Sequence, residues 1–378
     1  MRWDYTQPVE IRFGEGRVDE LPALASERGW KRGLLVAAPH VVKSGLAAKL
    51  EASGCVAGTY ANISPNPDVS EVDACANQLA QGDFNFVVAI GGGSAIDLAK
   101  AASATCGVEG SVRDYLGTGR PLPDTRLSLV AVPTTAGTGS EVTSVAVISD
   151  RERGTKAPIV ADSLFPEVAV VDPQLTWSVP PQVTASTGID VLCHAIEGYW
   201  SLGHQPICDA LAVHAARIVF TYLPRAVRDG TDHEARERLC EASVIAGLAF
   251  ALPKTTSSHA CSFPLTRRYG IPHGEACGLT LDYFCRLNAS ADDGRVKDLA
   301  HALGFTSPKV LADGIAWLRT AVGLRGDLTS LNLTSEDIDW LVQESHHPNL
   351  LNNPVPVTDE ALYRLYRGLA SGSTCSDL

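Results

Sequence analysis

The chain has 378 residues, enough for two domains or one unusually large one with a substantial core. Apolar residues make up 45% and charged residues 20%, an ordinary globular balance that excludes a disordered chain, a collagen and a coiled coil. Lys plus Arg number 31 against 43 for Asp plus Glu, and the resulting charge of −12 disfavours phosphate backbones and anionic lipid, so neither nucleic acid nor a membrane is expected as a partner.

The opening residues, Met1-Arg2-Trp3-Asp4, hold no apolar signal segment, and no run approaches the roughly 18 apolar residues of a membrane span. Leu34 to Ala38 reads as a compact strand, followed by a helical stretch into Glu51. Phe86 to Ile90 is a second strand, ending in Gly91-Gly92-Gly93-Ser94 and a helix from Ala95 to Ala104. Glycines there let the backbone approach a ligand, and the helix start offers free N–H groups to a phosphate; a plain tight turn has the same composition. Asp97, read as lying in the first helical turn, suits the dipole and is placed to meet a ribose or a substrate hydroxyl. Leu127 to Val132 is a third strand and runs into the polar loop Pro133-Thr134-Thr135-Ala136-Gly137-Thr138-Gly139-Ser140-Glu141. Two such loops at the carboxyl ends of strands favour a dinucleotide. Val142 to Ile148, Ile159-Val160 and Val168 to Val171 continue the strand signals, and the alternation with helices predicts a parallel sheet covered on both faces.

At Pro180-Pro181 the character changes. Segments 181–200, 206–227, 232–250 and 308–322 show helical spacing, so the expected division is an α/β domain over 1–179 and an all-helical domain over 180–378. Asp190 and His194 stand four apart on one face of the first of these helices, and His259 and His273 follow. One carboxylate and three imidazoles suit Fe²⁺ or Zn²⁺ and are wrong for Mg²⁺ or Ca²⁺. An Asp–His pair at this spacing is also an ordinary helix-surface hydrogen bond. His204, His233 and His346-His347 lie in polar, loop-like sequence and read as solvated, whereas His214 and His301 fall in helical patterns and read as structural. Ten cysteines from Cys55 to Cys375 contain no C-x-x-C pair, which predicts reduced, mostly buried thiols in a cytoplasmic protein. The tail, Ser371-Gly372-Ser373-Thr374, is expected to fray.

In combination these motifs resemble the iron-containing alcohol dehydrogenases, relatives of glycerol dehydrogenase and dehydroquinate synthase. The resemblance runs from Phe13-Gly14-Glu15-Gly16 through Pro65-Asn66-Pro67, the glycine triplet and Pro133–Glu141 to Asp190-x-x-x-His194-Ala195-x-Glu197 and Pro272-His273-Gly274. It implies a dehydroquinate synthase-like fold, a dinucleotide-binding α/β domain plus a helical domain, commonly assembled as a homodimer or larger homo-oligomer. By position, Asp190, His194, His259 and His273 would hold the metal. Gly92, Gly93 and Ser94 would meet the pyrophosphate; Thr134, Thr135 and Thr138, with Ser140 and Val147, would surround the rest of the cofactor; and Lys156 would lie on the nicotinamide side. The implied chemistry is hydride transfer from the nicotinamide to a small aldehyde whose carbonyl the metal polarises.

Two departures carry information. Family members often place an Asp after the second strand, where it repels a 2′-phosphate; Ala38 stands there, so NADPH is expected ahead of NADH, with Fe²⁺ the expected metal and Zn²⁺ the alternative. Where many members have a proton-relaying histidine, this chain has Phe263, which reads as an apolar pocket wall. The segment Pro253-Lys254-Thr255-Thr256-Ser257-Ser258, with Arg267, is similar to the subgroup that reduces phosphonoacetaldehyde to 2-hydroxyethylphosphonate in phosphonate biosynthesis, and Lys254, Thr255, Ser258 and Arg267 are the expected anion contacts. Reduction or oxidation of another small alcohol, diol or keto acid such as maleylacetate is the alternative. A cyclase that uses NAD transiently needs more basic clusters than this chain has, and four intact ligands argue against a non-catalytic sensor.

Overall fold

The computed structural model describes residues 2–123 and 126–373, and it divides into two compact units. One spans Thr6–Thr176. The other runs from Trp177 and includes the residues up to Tyr5, so the division falls three residues before the expected 179/180 boundary.

The first unit is built from β1 (Glu10–Phe13), α1 (Leu21–Glu27), β2 (Gly33–Ala37), α2 (Pro39–Lys43), α3 (Leu46–Ala52), β3 (Val56–Tyr60), α4 (Val69–Gln81), β4 (Phe86–Gly91), α5 (Gly93–Thr105), β5 (Ser128–Pro133), β6 (Val145–Asp150), β7 (Thr155–Val160) and β8 (Val168–Val171). Six strands form a wholly parallel sheet in the order β1-β8-β5-β4-β2-β3. The inner strands β2, β4 and β8 are buried along their whole length, which is why they read as unbroken apolar runs. Their side chains alternate between two cores. Leu34, Val36, Val87 and Ala89 pack on the face with α4 and α5, while Leu35, Ala37, Val88 and Ile90 pack on the face with α1 and α3.

Several expectations change. The edge strands β1 and β3 carry no apolar run and are additions to the expected set. β6 and β7 form a separate antiparallel hairpin rather than part of the parallel sheet, and β6 begins at Val145 because Val142 closes a short 3₁₀ turn. The helical stretch after Ala38 breaks into α2 and α3 at Gly45, whose φ of 84° is left-handed.

The second unit contains α6 (Pro181–Trp200), α7 (Pro206–Arg228), α8 (His233–Phe250), α9 (Ser257–Tyr269), α10 (His273–Asn288), α11 (Arg295–Ala302), α12 (Pro308–Ala321), α13 (Ser335–Glu344) and α14 (Asp359–Ser371). α6 starts on the Pro180-Pro181 pair, as N-cap and first helical residue. It packs against α7, α8 and α10. By length and composition α7 is apolar enough to cross a bilayer, contrary to expectation; in this fold its buried face is the row Cys208, Ala212, Ala215, Val219 and Leu223. Ser371 is the last residue of α14 rather than frayed, with Gly372 as its left-handed cap; Thr374 and Cys375 lie outside the described residues.

Candidate active site

Two glycines set the geometry of the helical unit's polar centre. A Cβ on Gly274 would lie 2.0 Å from the Ser186 carbonyl oxygen and 2.8 Å from Asp190 Cβ; one on Gly278 would lie 2.7 Å from Ile189 Cγ1. Only bare backbone at these two positions of α10 lets it close onto α6. The first turn of α10 then brings His273 and Cys277 to Asp190, and α9 adds His259. One donor atom from each of Asp190, His259, His273 and Cys277 lies within 4.8 Å of the others. His194 is beside this group: its ring stacks on His259 at 4.7 Å and on Phe250 at 4.1 Å, but its nitrogens are outside the set of four.

Glu197 organises the centre and lies at i+7 from Asp190, on the same face of α6. Fully buried, it accepts at Oε1 from Thr256 N (3.2 Å), Thr256 Oγ1 (2.7 Å) and Ser258 N (2.8 Å), and at Oε2 from His259 Nδ1. A carboxylate only accepts, so the ring proton sits on Nδ1 and the Nε2 lone pair is open. That Nε2 is buried, has no hydrogen-bond partner and faces Asp190 Oδ1 at 3.7 Å. Burial lowers the basicity of His259, but the charge and hydrogen bond of Glu197, with Asp190, outweigh it and leave the pKa raised. An imidazole lone pair pointed at a carboxylate in a buried cluster fits a borderline divalent ion.

The residues expected at the substrate separate into two groups. Lys254 adopts a left-handed φ of 67°, held by its N–H on Phe250 O (2.8 Å), and its Nζ donates to Ala251 O (2.7 Å). Thr255 Oγ1 accepts from Asn349 Nδ2 (2.9 Å), while Ser258 Oγ is buried with no hydrogen-bond partner. Phe263 stacks near His273, with centroids 6.0 Å apart. Arg267, by contrast, is on an exposed face, ion-paired with Glu344 and lying over the Trp340 ring, so its charge is already matched away from the donor cluster. His347 was missed as a site residue. Rather than solvated, it is half-buried 4.7 Å from Phe263, with Nδ1 accepting from Asn349 N (3.2 Å) and burial lowering its pKa. His204 is likewise partly buried and bonded to Asp209 (2.9 Å), whereas His214 and His301 are exposed rather than structural.

In the α/β unit, chain direction across the sheet reverses between β2 and β4, the switch point where open sheets bind ligands. Ala38 and the glycine triplet stand there, joined by Ala38 N on Ile90 O (2.9 Å). A Cβ on Gly92 would meet Thr135 Oγ1 at 3.2 Å, and one on Gly93 would meet Thr138 Cγ2 at 2.7 Å, so the two loops fit together through absent side chains. Thr134 N donates to Gly91 O (2.9 Å), and Thr134 Oγ1 is 3.1 Å from Nε2 of His40, a residue sequence reasoning passed over. Lys156 Nζ donates to Asn66 Oδ1 (2.7 Å), and Asn66 N to Ser94 Oγ (3.2 Å). Asp97 differs from expectation. α5 begins at Gly93, so Asp97 is past the first turn; its oxygens accept from Ser140 Oγ (2.5 Å) and Val147 N (2.9 Å), which ties the second loop to α5. Buried Lys100 adds a second lock through Thr143 O (2.7 Å) and Val145 O (2.9 Å), with burial pulling its pKa down to about 8.

Comparison with known proteins agrees across the chain. The family described as iron-containing alcohol dehydrogenase matches residues 8–173, and its C-terminal part matches 184–370. Long-chain-alcohol dehydrogenase 1 of Geobacillus thermodenitrificans is 34% identical, covering 97% of this chain and 96% of its own. Among solved structures, a sulfoacetaldehyde reductase from Bifidobacterium kashiwanohense in complex with NAD+ is 56% identical with a TM-score of 0.96, covering 98% of this chain and 99% of that one. An alcohol dehydrogenase from Oenococcus oeni is 29% identical with a TM-score of 0.90, covering 97% and 100%.

Proposed function

The chain belongs to the iron-containing alcohol dehydrogenase family, and we propose that it reduces a two-carbon aldehyde with an anionic head, sulfoacetaldehyde first, using NADH or NADPH and a divalent ion. The observation that carries the reaction type is His259, whose Nδ1 is committed to Glu197 and whose buried Nε2 faces Asp190. Sulfoacetaldehyde rests on the 56% identity to the Bifidobacterium enzyme. Phosphonoacetaldehyde is the second reading, favoured by the cation-and-hydroxyl run Lys254, Thr255, Ser258, which offers the same donors to either head group.

When bound, the ion supplies Lewis acidity toward a carbonyl oxygen and the dinucleotide supplies hydride. The chain's own residues do the rest. Asp190, His259 and His273, with His194 beside them, would hold the ion, and Glu197 keeps the His259 proton on the nitrogen that faces away from it. Lys254, Thr255 and Ser258 orient the anionic head, while Phe263 keeps water from one side. Phe263 carries no exchangeable proton. His347 packs against it with a proton on Nε2, because Nδ1 accepts from Asn349, and it joins solvent as a source of the alcohol proton. Ala38 places no carboxylate against a 2′-phosphate, which supports use of NADPH beside NADH. Nine free cysteines among the described residues support a reducing, cytoplasmic setting.

The test is anaerobic reconstitution with Fe²⁺, followed by nicotinamide oxidation with sulfoacetaldehyde, phosphonoacetaldehyde, propionaldehyde and maleylacetate, each with NADH and NADPH. A kcat/KM for the anionic aldehydes ~100-fold above propionaldehyde, about 2.7 kcal/mol of differential transition-state binding, is expected. Equal values would remove the anionic head from the proposal and leave a general aldehyde reductase.

A further inference from the structure

The run that carries Lys254, Thr255 and Ser258 is gripped by one short 3₁₀ turn, Pro348–Asn352, and the residue after it. Asn352 Nδ2 donates to Pro253 O (2.8 Å) and Thr255 O (3.1 Å), the carbonyls on either side of Lys254. That grip holds Lys254 in the left-handed conformation a residue with a side chain rarely adopts. Asn353 is buried, and its Oδ1 accepts from Ser257 Oγ (2.9 Å) and Asn288 Nδ2 (3.0 Å), which ties the start of α9 to the end of α10. Asn349 differs from these two in its target: its Nδ2 donates to a side-chain hydroxyl, Thr255 Oγ1, at 2.9 Å. A hydroxyl has one proton and two lone pairs, so a bond accepted from an amide takes a lone pair and leaves the Thr255 proton to point elsewhere. No protein acceptor for that proton stands within hydrogen-bond distance among the described residues. Ser258 Oγ, fully buried, likewise has no hydrogen-bond partner. Two hydroxyl protons and an ammonium on one short run suit the acceptor-only oxygens of a sulfonate or phosphonate, and they offer nothing to an apolar aldehyde tail.

We infer that Asn349 is a positioning residue for head-group specificity: by making Thr255 Oγ1 an acceptor, it turns the Thr255 proton toward the anionic head of the substrate. The inference rests on the reading of Lys254, Thr255 and Ser258 as the anion contacts. The backbone N–H of Asn349, which donates to His347 Nδ1 (3.2 Å), is a separate bond and survives replacement of the side chain. The His347 proton therefore stays on Nε2, and its supply is the same for anionic and neutral aldehydes.

The Fe²⁺-reconstituted full-length protein and its Asn349→Asp variant, compared on sulfoacetaldehyde and propionaldehyde, test this through the ratio of the two kcat/KM values. The replacement accepts where the amide donates, so Thr255 gives its proton to the new carboxylate instead of the substrate. Expected is a fall of at least ~10-fold in the anionic-to-neutral ratio, carried mostly by KM for sulfoacetaldehyde. Asn349→Ala should lower the ratio less, and little further once Thr255→Val is present, because the amide acts through that hydroxyl. Equal losses on both aldehydes, as a purely structural role would give, or a full additional loss in the double variant, would overturn the inference and leave the anion contacts standing. A ratio near one in the wild-type protein would overturn both. Should Asn349→Asp fail to fold, the cycle of Asn349→Ala and Thr255→Val decides by the same ratio.

Discussion

At the scale of single residues, Glu197 and Glu141 are two buried carboxylates in opposite circumstances. Glu197 faces donors on every side, and one of them is the ring that must present Nε2 to a metal. Glu197→Gln keeps the shape but puts an amide N–H₂ within reach of His259 Nδ1, which then turns acceptor and moves its proton to Nε2. Metal affinity is expected to fall about 10–100-fold, read by chelator competition, while the melting temperature of the metal-free protein changes far less. Glu141 is also buried, but burial pushes its pKa up to about 7, against its own backbone hydrogen bond and the charge of Lys100. Between its ordinary value near 4.5 and about 7 the folded state keeps the proton that the unfolded state has lost. Stability therefore declines as pH rises through that window, by roughly 3 kcal/mol, and changes no further from this group above it. Glu141→Gln removes this loss: in urea unfolding the variant should gain on wild type by a few kcal/mol between pH 5 and pH 8.

Elements explain which parts of the site could be read in advance. Strands buried on both faces, β2, β4 and β8, announce themselves as apolar runs, whereas edge strands such as Glu10–Phe13 mix charge with apolar residues and do not. Asp190 and His194 could be paired in advance because they share one helix and four residues of spacing, although only Asp190 falls within the set of four donors. Glu197 stood in the same motif without a role, since its contacts with Thr256, Ser258 and His259 appear only when α6 and α9 pack together. Arg267 misled for the same reason: its charge was visible, but Glu344, which neutralises it, comes from α13. The packing itself has a visible cause in Gly274. Gly274→Ala forces α10 off α6, because the new methyl would sit 2.0 Å from a backbone oxygen that cannot swing away. We expect a loss of at least ~1–3 kcal/mol in unfolding free energy together with weakened Co²⁺ binding. Gly326→Ala, where nothing lies within 4 Å, should change neither.

For the molecule as a whole, the chemistry is distributed between two units with separate cores. Every donor of the candidate metal centre belongs to the unit beginning at Trp177, and every residue of the two phosphate-type loops belongs to Thr6–Thr176. A ligand that binds only the folded form stabilises the unit that holds its site, by about 2.7 kcal/mol at a hundred times its Kd. Calorimetric melting should therefore resolve two ligand responses. Zn²⁺ or Co²⁺ alone should raise the transition of the helical unit and leave the other in place; NADH alone should do the reverse, and a chelator should cancel only the first. Chain composition gave no hint of this separation. It follows from where the sheet ends and where Pro180-Pro181 starts the first long helix, which makes the order of the motifs along the chain the order of the two candidate sites: phosphate-type loops first, donor cluster second. A single transition shifted equally by either ligand would show instead that the two cores unfold together, and that each ligand acts on the stability of the entire chain.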